Sequence, residues 1–558
     1  MPQDHPNFLL LGQPRFRDGT LQRIADTEGA EAAWRRAVRS SDVASVVRGV
    51  EGPFAVALRE PGGRVVLAID RFAVQTLCYR MVDGGIRFAA RADELGACTL
   101  DDQALLDYLY FHMVPSPRTV FADVRRLPPA HCATFEGGRL ALTRYWQPAF
   151  QPASKPSFGA LRDEFRALLQ QSVADALGPG KAACFLSGGT DSSTVAGMIG
   201  LAGRTPAATY SIGFEAQGYD ESHFARIAAR HFGTEHHELR VTADMLVEAI
   251  PIVASHYDQP FGNSSAVPAY LCARMARADG VDRLLAGDGG DELFGGNSRY
   301  AMQRIFGWYA HVPAGVRAGL LEPALVGSAL GRLALLRKGA GYIRQARVPM
   351  PDRMHTYNLL MRLGPDAVLA PAFAALVDLQ MPAAQQRAVW QVTAPGSDEL
   401  DRMLAYDWRY TLAEADLPKV CGTTALAGVE VAFPLLDQRL VDFSMRLPPS
   451  YKLKGLRLRW FFKEALRGFL PDEIITKKKQ GFGLPFGVWA VRHDRLRALA
   501  TDSLRSLGAR GIVAPRFVDD LLSTHLPAHP HYYGEMVWIL MMLEQWLRRH
   551  APNHGLTA

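Results

Sequence analysis

Cysteine is scarce: Cys78, Cys98, Cys132, Cys184, Cys272 and Cys421 are the six in 558 residues, without a CxxC pair or regular spacing. That distribution excludes a disulfide scaffold and a structural zinc site. No apolar run reaches about 18 residues, which excludes a membrane span. The richest stretch, 537–547, is broken by Glu544 and Gln545 and predicts a core-facing helix. A basic start followed by a cleavage pattern is also missing, so a cytoplasmic location is expected. Charge of one sign is weak. Sixty-two Lys and Arg against 56 Asp and Glu leave +6, too little over this length to argue for nucleic acid.

What is present divides the chain in two. At about 150 residues per domain the length allows three or four units, or two larger ones. Residues 1–146 read as β-rich. PFAVAL (53–58), VVLAID (65–70) and IRFAA (86–90) are separated by Pro-Gly-Gly and Asp-Gly-Gly turns, as in antiparallel hairpins. A helix is expected around 102–110, then two short strands around Gly137-Gly138. Residues 147–158 carry three prolines and read as a linker. From 159 to 558 hydrophobic strands alternate with helical segments: AACFL (182–186), ATYSIGF (208–214), HHELRV (236–241) and RLLAG (283–287) are the strands. That alternation predicts an α/β fold with a doubly wound parallel sheet. Residues 305–400 lack such strands and read as helical.

Two glycine-rich loops carry the chemistry. Ser187-Gly188-Gly189-Thr190-Asp191-Ser192-Ser193 lies between a hydrophobic strand and a helix. Its glycines let backbone approach an anion, and the helix start offers unpaired N–H groups and a positive dipole end. It is built as a pyrophosphate cradle but is no Walker loop, because GxxxxGK[ST] does not occur. Residues 284–296, LLAGDGGDELFGG, follow another strand of the same sheet. Strand ends line the ligand crevice of such sheets, so both loops should face one site. Acidic residues among glycines there suit Mg²⁺, which takes one or two carboxylates plus substrate phosphates.

Six motifs in order complete a pattern: SGGTDSS, SIGF (211–214), YDQPFGNSSAVPAY (257–270), AGDGGDELFGG (286–296), VEVAFPLLDQRLVDF (429–443) and KKKQGFGLPFGVW (477–489). Together they resemble the synthetase domain of class B, glutamine-type asparagine synthetases and related amide-forming enzymes. GPFAVAL, AIDRFAVQTLCYR, FHMVPSPRTVFADVRRLPP and RYW resemble that family's glutaminase-like, Ntn-hydrolase-type domain. The resemblance implies a PP-loop ATP pyrophosphatase fold (adenine nucleotide α-hydrolase-like) with added helices over 159–558. It also implies ATP and Mg²⁺ as cofactors, and an acyl-adenylate that an amine attacks. Ser187, Gly188, Gly189, Asp191 and Ser192 would then hold pyrophosphate, while Leu186, Ile212 and Gly287 would lie against adenosine. Asp191 and Asp291 would hold Mg²⁺. Lys479 matches the family lysine that stabilises the adenylation transition state, and Asp288 stands where asparagine synthetases have the Glu near the attacking amine.

The departures are as informative. Position 2, where the family's glutaminase has its cysteine nucleophile, is Pro2, and the glutamine-binding RGPDG and NGEIYN elements are absent. A retired glutaminase is the expectation, with nitrogen drawn from ammonia, a partner amidase or an amine in the substrate. Where the family commonly has KVDR and EVR, Cys421, Gly422 and Ala432 stand, which argues for an acceptor other than free aspartate; Cys421 itself reads as a small buried thiol. His231, His236 and His237 read as structural. A small-molecule or peptide carboxylate is therefore the expected acceptor. A lasso-peptide macrolactam cyclase is the leading alternative. Asp288 in place of Tyr speaks against a β-lactam synthetase, and uronic-acid amidation is a third acceptor class. A non-catalytic subunit would have lost loops that this chain keeps, and a tRNA-modifying pyrophosphatase would need a basic module that it lacks. A homodimer is compatible with all of these readings.

Overall fold

The computed structural model describes residues 6–96, 99–152, 157–203, 206–216, 218–327, 333, 336–478 and 483–556. Near the N-terminus, β1 (Phe8–Gly12), β2 (Phe54–Arg59) and β3 (Val65–Ile69) precede the hairpin of β4 (Cys78–Val82) and β5 (Gly85–Ala89). Next come β6 (Val124–Arg126), β7 (His131–Glu136) and β8 (Arg139–Arg144). Five of these form an antiparallel sheet in the order β1-β2-β3-β7-β8, and the other three form a second sheet, β5-β4-β6.

The pleat explains why β3 and all of β2 but Arg59 are hydrophobic. Along β2, Phe54, Val56 and Leu58 join one core cluster and Ala55 and Ala57 another. The first cluster is closed by helices α1 (Gly19–Glu28), α2 (Ala30–Ser40) and α3 (Val43–Arg48), through Trp34, Ala37 and Val47. The second is closed by Tyr79, Ile86 and Phe88 of the smaller sheet. Side chains alternate between faces, so a strand buried on both needs apolar residues throughout. Asp18 and Asp42 cap α1 and α3 by accepting from backbone N–H groups.

Beyond helix α4 (Asp102–Phe111), α5 (Phe158–Leu177) leads into strand β9 (Ala182–Phe185) and helix α6 (Thr190–Gly203). Strand β10 (Ala208–Phe214), helix α7 (Ser222–Phe232) and strand β11 (Glu235–Val241) follow. Helices α8 (Ala243–His256) and α9 (Ala266–Ala278) then lead to β12 (Arg283–Leu285) and helix α10 (Gly290–Phe294). All pairings in this sheet are parallel, in the order β11-β10-β9-β12-β13, with Cys184 of β9 level with both Thr209 and Leu285. The fifth strand, β13 (Glu430–Ala432), follows helix α11 (Leu417–Ala427); the sequence reading did not include it. Helices cover both faces. Phe165, Val195 and Ala225 pack on one, Cys272, Ala273 and Ala276 on the other. The order reverses between β9 and β12, and the two glycine loops leave the sheet at that reversal.

Residues 305–400 are mainly helical where described, including Met381–Val392 and Glu399–Asp407. Helix α12 (Pro530–His550) buries Val537–Leu547 completely, as the apolar stretch requires. No helix among the described residues is long and apolar enough to cross a membrane.

The β-rich half and the second half of the chain share one hydrophobic cluster. Tyr108, Phe121, Met403 and Trp546 belong to one cluster, and the Tyr108 hydroxyl donates to the Ile539 carbonyl at 2.8 Å. A buried polar tie is Glu414, 3% exposed: its Oε1 accepts from the Ser116 hydroxyl at 2.6 Å and from Arg409, and its Oε2 accepts from Arg126 at 2.5 Å. Burial opposes its charge, yet Arg409 and Arg126 outweigh it and hold the carboxyl below the ordinary glutamate value. A carboxylate depressed in the fold stabilises it above the unfolded value near 4.5 and loses that contribution as pH falls through the folded value. We predict that Glu414→Ala lowers the unfolding free energy in urea by about 3 kcal/mol, since it strands two partly buried cations. Glu414→Gln should flatten the loss of stability with acidification below pH 4.5 relative to the native chain.

Candidate functional site

The first loop is held by its own hydroxyls. The Ser187 N–H donates to Ser192 Oγ at 3.1 Å, the two serine oxygens lie 3.0 Å apart, and the Gly189 N–H donates to Ser187 Oγ at 3.3 Å. Gly188 sits at φ +69°, and a Cβ there would lie 2.4 Å from the Ala225 nitrogen and 2.5 Å from the Phe224 carbonyl carbon. Both obstacles are backbone of α7, so only glycine lets the loop pass under that helix. Thr190 begins α6, whose first N–H groups therefore face the loop.

The second loop packs directly on the first. A Cβ on Gly287 would lie 2.9 Å from the Ser192 nitrogen. Between the loops is a cavity of about 840 Å³, into which Leu186, Ser187, Gly189, Asp191, Ser192, Ile212, Gly287, Asp288 and Asp291 all contribute. Gly188 supplies the turn behind it. Lys479 lies outside the described residues; Lys477 and Lys478, immediately before it, line the same cavity.

Two cationic side chains that the sequence reading passed over organise the acids. Arg459, 3% exposed, donates from Nη1 to Asp191 Oδ2 at 2.6 Å, Asp291 Oδ1 at 2.8 Å and the Thr190 hydroxyl at 2.9 Å, and from Nη2 to Asp191 Oδ1. Burial disfavours its charge, but Asp191 and Asp291 outweigh that and raise its pKa above the ordinary arginine value. The neighbouring Glu292 carboxyl is pushed well above the usual range, by burial first and by the Asp291 charge second. On the opposite wall, Lys419 of α11 lies 3.5 Å from Asp288 and 3.2 Å from Asp416. Burial raises the Asp288 pKa and Lys419 draws it back. The signal for Arg459 was faint: RLRWFFKEAL reads as an ordinary amphipathic segment. Lys419 stands in LPKVCG, where the missing family charges drew the notice.

Asp191 and Asp291 converge on one guanidinium nitrogen, so one cation can touch both carboxylates. Among the described residues no cluster of three or more His, Cys, Asp or Glu could hold a metal. Two carboxylates beside a phosphate-sized cradle fit Mg²⁺, which completes its shell with water and phosphate oxygens. The same arrangement does not fit Zn²⁺.

The histidines expected to be structural are so placed. His236 meets the hydroxyls of Thr209 and Ser211 at 2.9 and 3.2 Å, and His237 stacks on Tyr210. Cys421 departs from expectation. It is partly rather than fully buried, its thiol faces the Val74 carbonyl at 3.6 Å, and it lines a separate cavity of about 1370 Å³ between the β-rich half and α11. Burial still pushes its pKa up, so it is no ready thiolate.

Gly188→Ala, with a strained φ and a backbone clash, should cost the loop on the order of 1–2 kcal/mol, about tenfold in affinity for inorganic pyrophosphate. Titration calorimetry with pyrophosphate reads this, and unchanged affinity would contradict the assigned cradle.

Comparison with known proteins agrees with the geometry. The asparagine synthase family profile matches residues 164–548, and a glutamine amidotransferase domain profile matches residues 19–146. A Bacillus subtilis protein described as asparagine synthetase [glutamine-hydrolyzing] 1 is 25% identical, over 98% of this chain and 84% of its own length. A Mycobacterium bovis putative asparagine synthetase is 26% identical over 90% of this chain and 77% of its own, and Penicillium rubens amidase chyE is 23% identical over 83% and 74%. With a matched profile over most of its length and both loops in place, the chain belongs to the asparagine synthase family of amide-forming ligases.

Proposed function

We propose that the chain joins a carboxylate to an amine at the expense of ATP, through an acyl-adenylate, with release of AMP and pyrophosphate. The observation that carries this is the meeting of two strand-end loops, one a pyrophosphate-shaped cradle and the other acidic, at the reversal of the parallel sheet. The acceptor carboxylate oxygen attacks the α-phosphorus, the bond from that phosphorus to the bridging oxygen breaks, and pyrophosphate departs. Ser187, Gly188, Gly189, Asp191 and Ser192 would surround the departing group, and Lys479 is assigned transition-state charge stabilisation through its match to the family lysine. Leu186, Ile212 and Gly287 give adenosine an apolar wall. Asp191 and Asp291 would hold Mg²⁺, which supplies charge neutralisation for the leaving pyrophosphate. The amine nitrogen then attacks the acyl carbon, the bond to AMP breaks, and Asp288 takes the amine proton. This division of labour places the PP-loop synthetase in 159–558 and a glutaminase-like Ntn-type unit in 1–146, with 147–158 joining them.

Nitrogen is supplied as ammonia, by a partner amidase or by an amine within the substrate. Cys78 and Cys132 are the described cysteines of the β-rich half. Both are buried in strands, and burial pushes their thiols up, that of Cys132 to about 11. Neither is a nucleophile at neutral pH. The acceptor is not free aspartate. At Gly422, where the family commonly carries arginine, a Cβ would lie 2.5 Å from the Tyr257 ring, so an aromatic face occupies that place. Tyr257 is fixed there by its hydroxyl, which donates to the carbonyls of Lys419 and Pro418 at 3.1 and 3.3 Å. An aromatic ring in place of a charged side chain at this position suits a carboxylate other than free aspartate, including a peptide one. The macrolactam alternative shares that feature.

ATP–pyrophosphate exchange tests the reading across aspartate, peptide and uronic-acid carboxylates. We expect exchange with one class, amide product with ammonia, and none with glutamine alone. Glutamine-driven product without a partner would overturn the retired-glutaminase part, and exchange absent from every class would overturn adenylation. Lys479→Ala should slow exchange by on the order of 10²–10³. Asp288→Asn should preserve exchange while lowering amide product.

A further inference from the structure

Arg459 is held in a way that an ordinary surface arginine is not. It sits at φ +54°, ψ +35°, the left-handed region, immediately before the helix Trp460–Ala465. A non-glycine residue keeps that conformation only where its surroundings over-determine it, and such residues gather at functional sites. Its guanidinium lies over the Phe462 ring at 4.3 Å from the centroid. Two glycines make room for it. A Cβ on Gly290 would lie 2.0 Å from Asp191 Oδ1 and 2.9 Å from Arg459 Nη2, and one on Gly296 would lie 1.8 Å from Asp291 Oδ1 and 2.5 Å from Arg459 Cδ. The remaining donor of the fork, Nε–H, is buried and finds no acceptor among the described residues.

These observations point one way. The guanidinium stands between the two carboxylates that would hold the metal, and its positive charge weakens their pull on any free divalent ion. A buried donor without an acceptor is costly, and a turn of the guanidinium toward a phosphate in the cavity would bring that donor out to an oxygen. We propose that Arg459 is a positioning residue, a resident cation that holds Asp191 and Asp291 together until a phosphate-bearing ligand arrives and then turns to the phosphate as the carboxylates pass to the divalent ion. The site then takes a divalent cation with pyrophosphate or nucleotide, and poorly alone. The inference rests on the ligase reading for the identity of the ligand, but not for the exclusion of the free ion.

Mn²⁺ binding followed by electron paramagnetic resonance tests this without turnover. In the native chain Mn²⁺ alone should bind weakly and pyrophosphate should tighten it. Arg459→Met should bind Mn²⁺ alone at least tenfold more tightly and lose at least tenfold in the enhancement by pyrophosphate. Adding Asp291→Asn to Arg459→Met should abolish the gain. Arg459→Gln, which removes the charge but keeps a hydrogen-bond donor for the carboxylates, covers the case in which the methionine variant does not fold; it should shift both quantities in the same directions by at least about threefold. A folded variant that binds Mn²⁺ alone no more tightly than the native chain overturns the proposal. Failure of ATP–pyrophosphate exchange, by contrast, would overturn the ligase reading and leave the metal result standing.

Discussion

One buried guanidinium shared by two carboxylates is the contact on which the rest of the site depends. Asp191 and Asp291 are a hundred residues apart and arrive on loops from neighbouring strands, so their repulsion must be met where the strand order reverses. Arg459 meets it, and the demands of that arrangement spread outward. Gly290 and Gly296 have no side chain because the acids and the guanidinium occupy that space. Arg459 adopts a backbone conformation that costs energy, and Glu292 next to the cluster is driven toward its neutral form. Natural proteins keep such strain where a ligand later uses it.

The β-rich half, which matches a glutamine amidotransferase domain, is a structural part of the whole fold. Its helix α4 lies in the same hydrophobic cluster as α12 of the other half, and Glu414 gathers Arg126, Arg409 and Ser116 across the junction. Removing that half would strand buried charge and bare the apolar face of α12. The cavity beside Cys421 is bounded by the same junction, so its shape follows from how the halves pack.

Much of this was legible in the sequence, for physical reasons that differ by element. The strand–loop–helix order of 182–203 is written as an apolar run, a glycine pair and a helical period, and each is a local property. That both glycine loops face one cavity followed from parallel-sheet geometry alone. Strand β13 was not legible, because Glu430-Val431-Ala432 is too short for a period. Helices α1 to α3 went unnoticed although Asp18, Asp42 and the spacing of Trp34, Ala37 and Val38 mark them. Arg459 was barely legible. Its importance comes from a positive φ and from partners at positions 190, 191 and 291, none of which leaves a trace in RLRWFFK. Lys419 was similarly hidden, since a lysine three residues after an aspartate on a helix is ordinarily a surface pair.

The account stands or falls on where ATP is cleaved. A phosphorus-31 spectrum of the products, taken with ammonia and an accepted carboxylate, settles this directly. The account predicts AMP and pyrophosphate in equal amounts, matched by amide. ADP and inorganic phosphate in their place would mean an acyl-phosphate route, and would contradict the role given to the loop around Gly188.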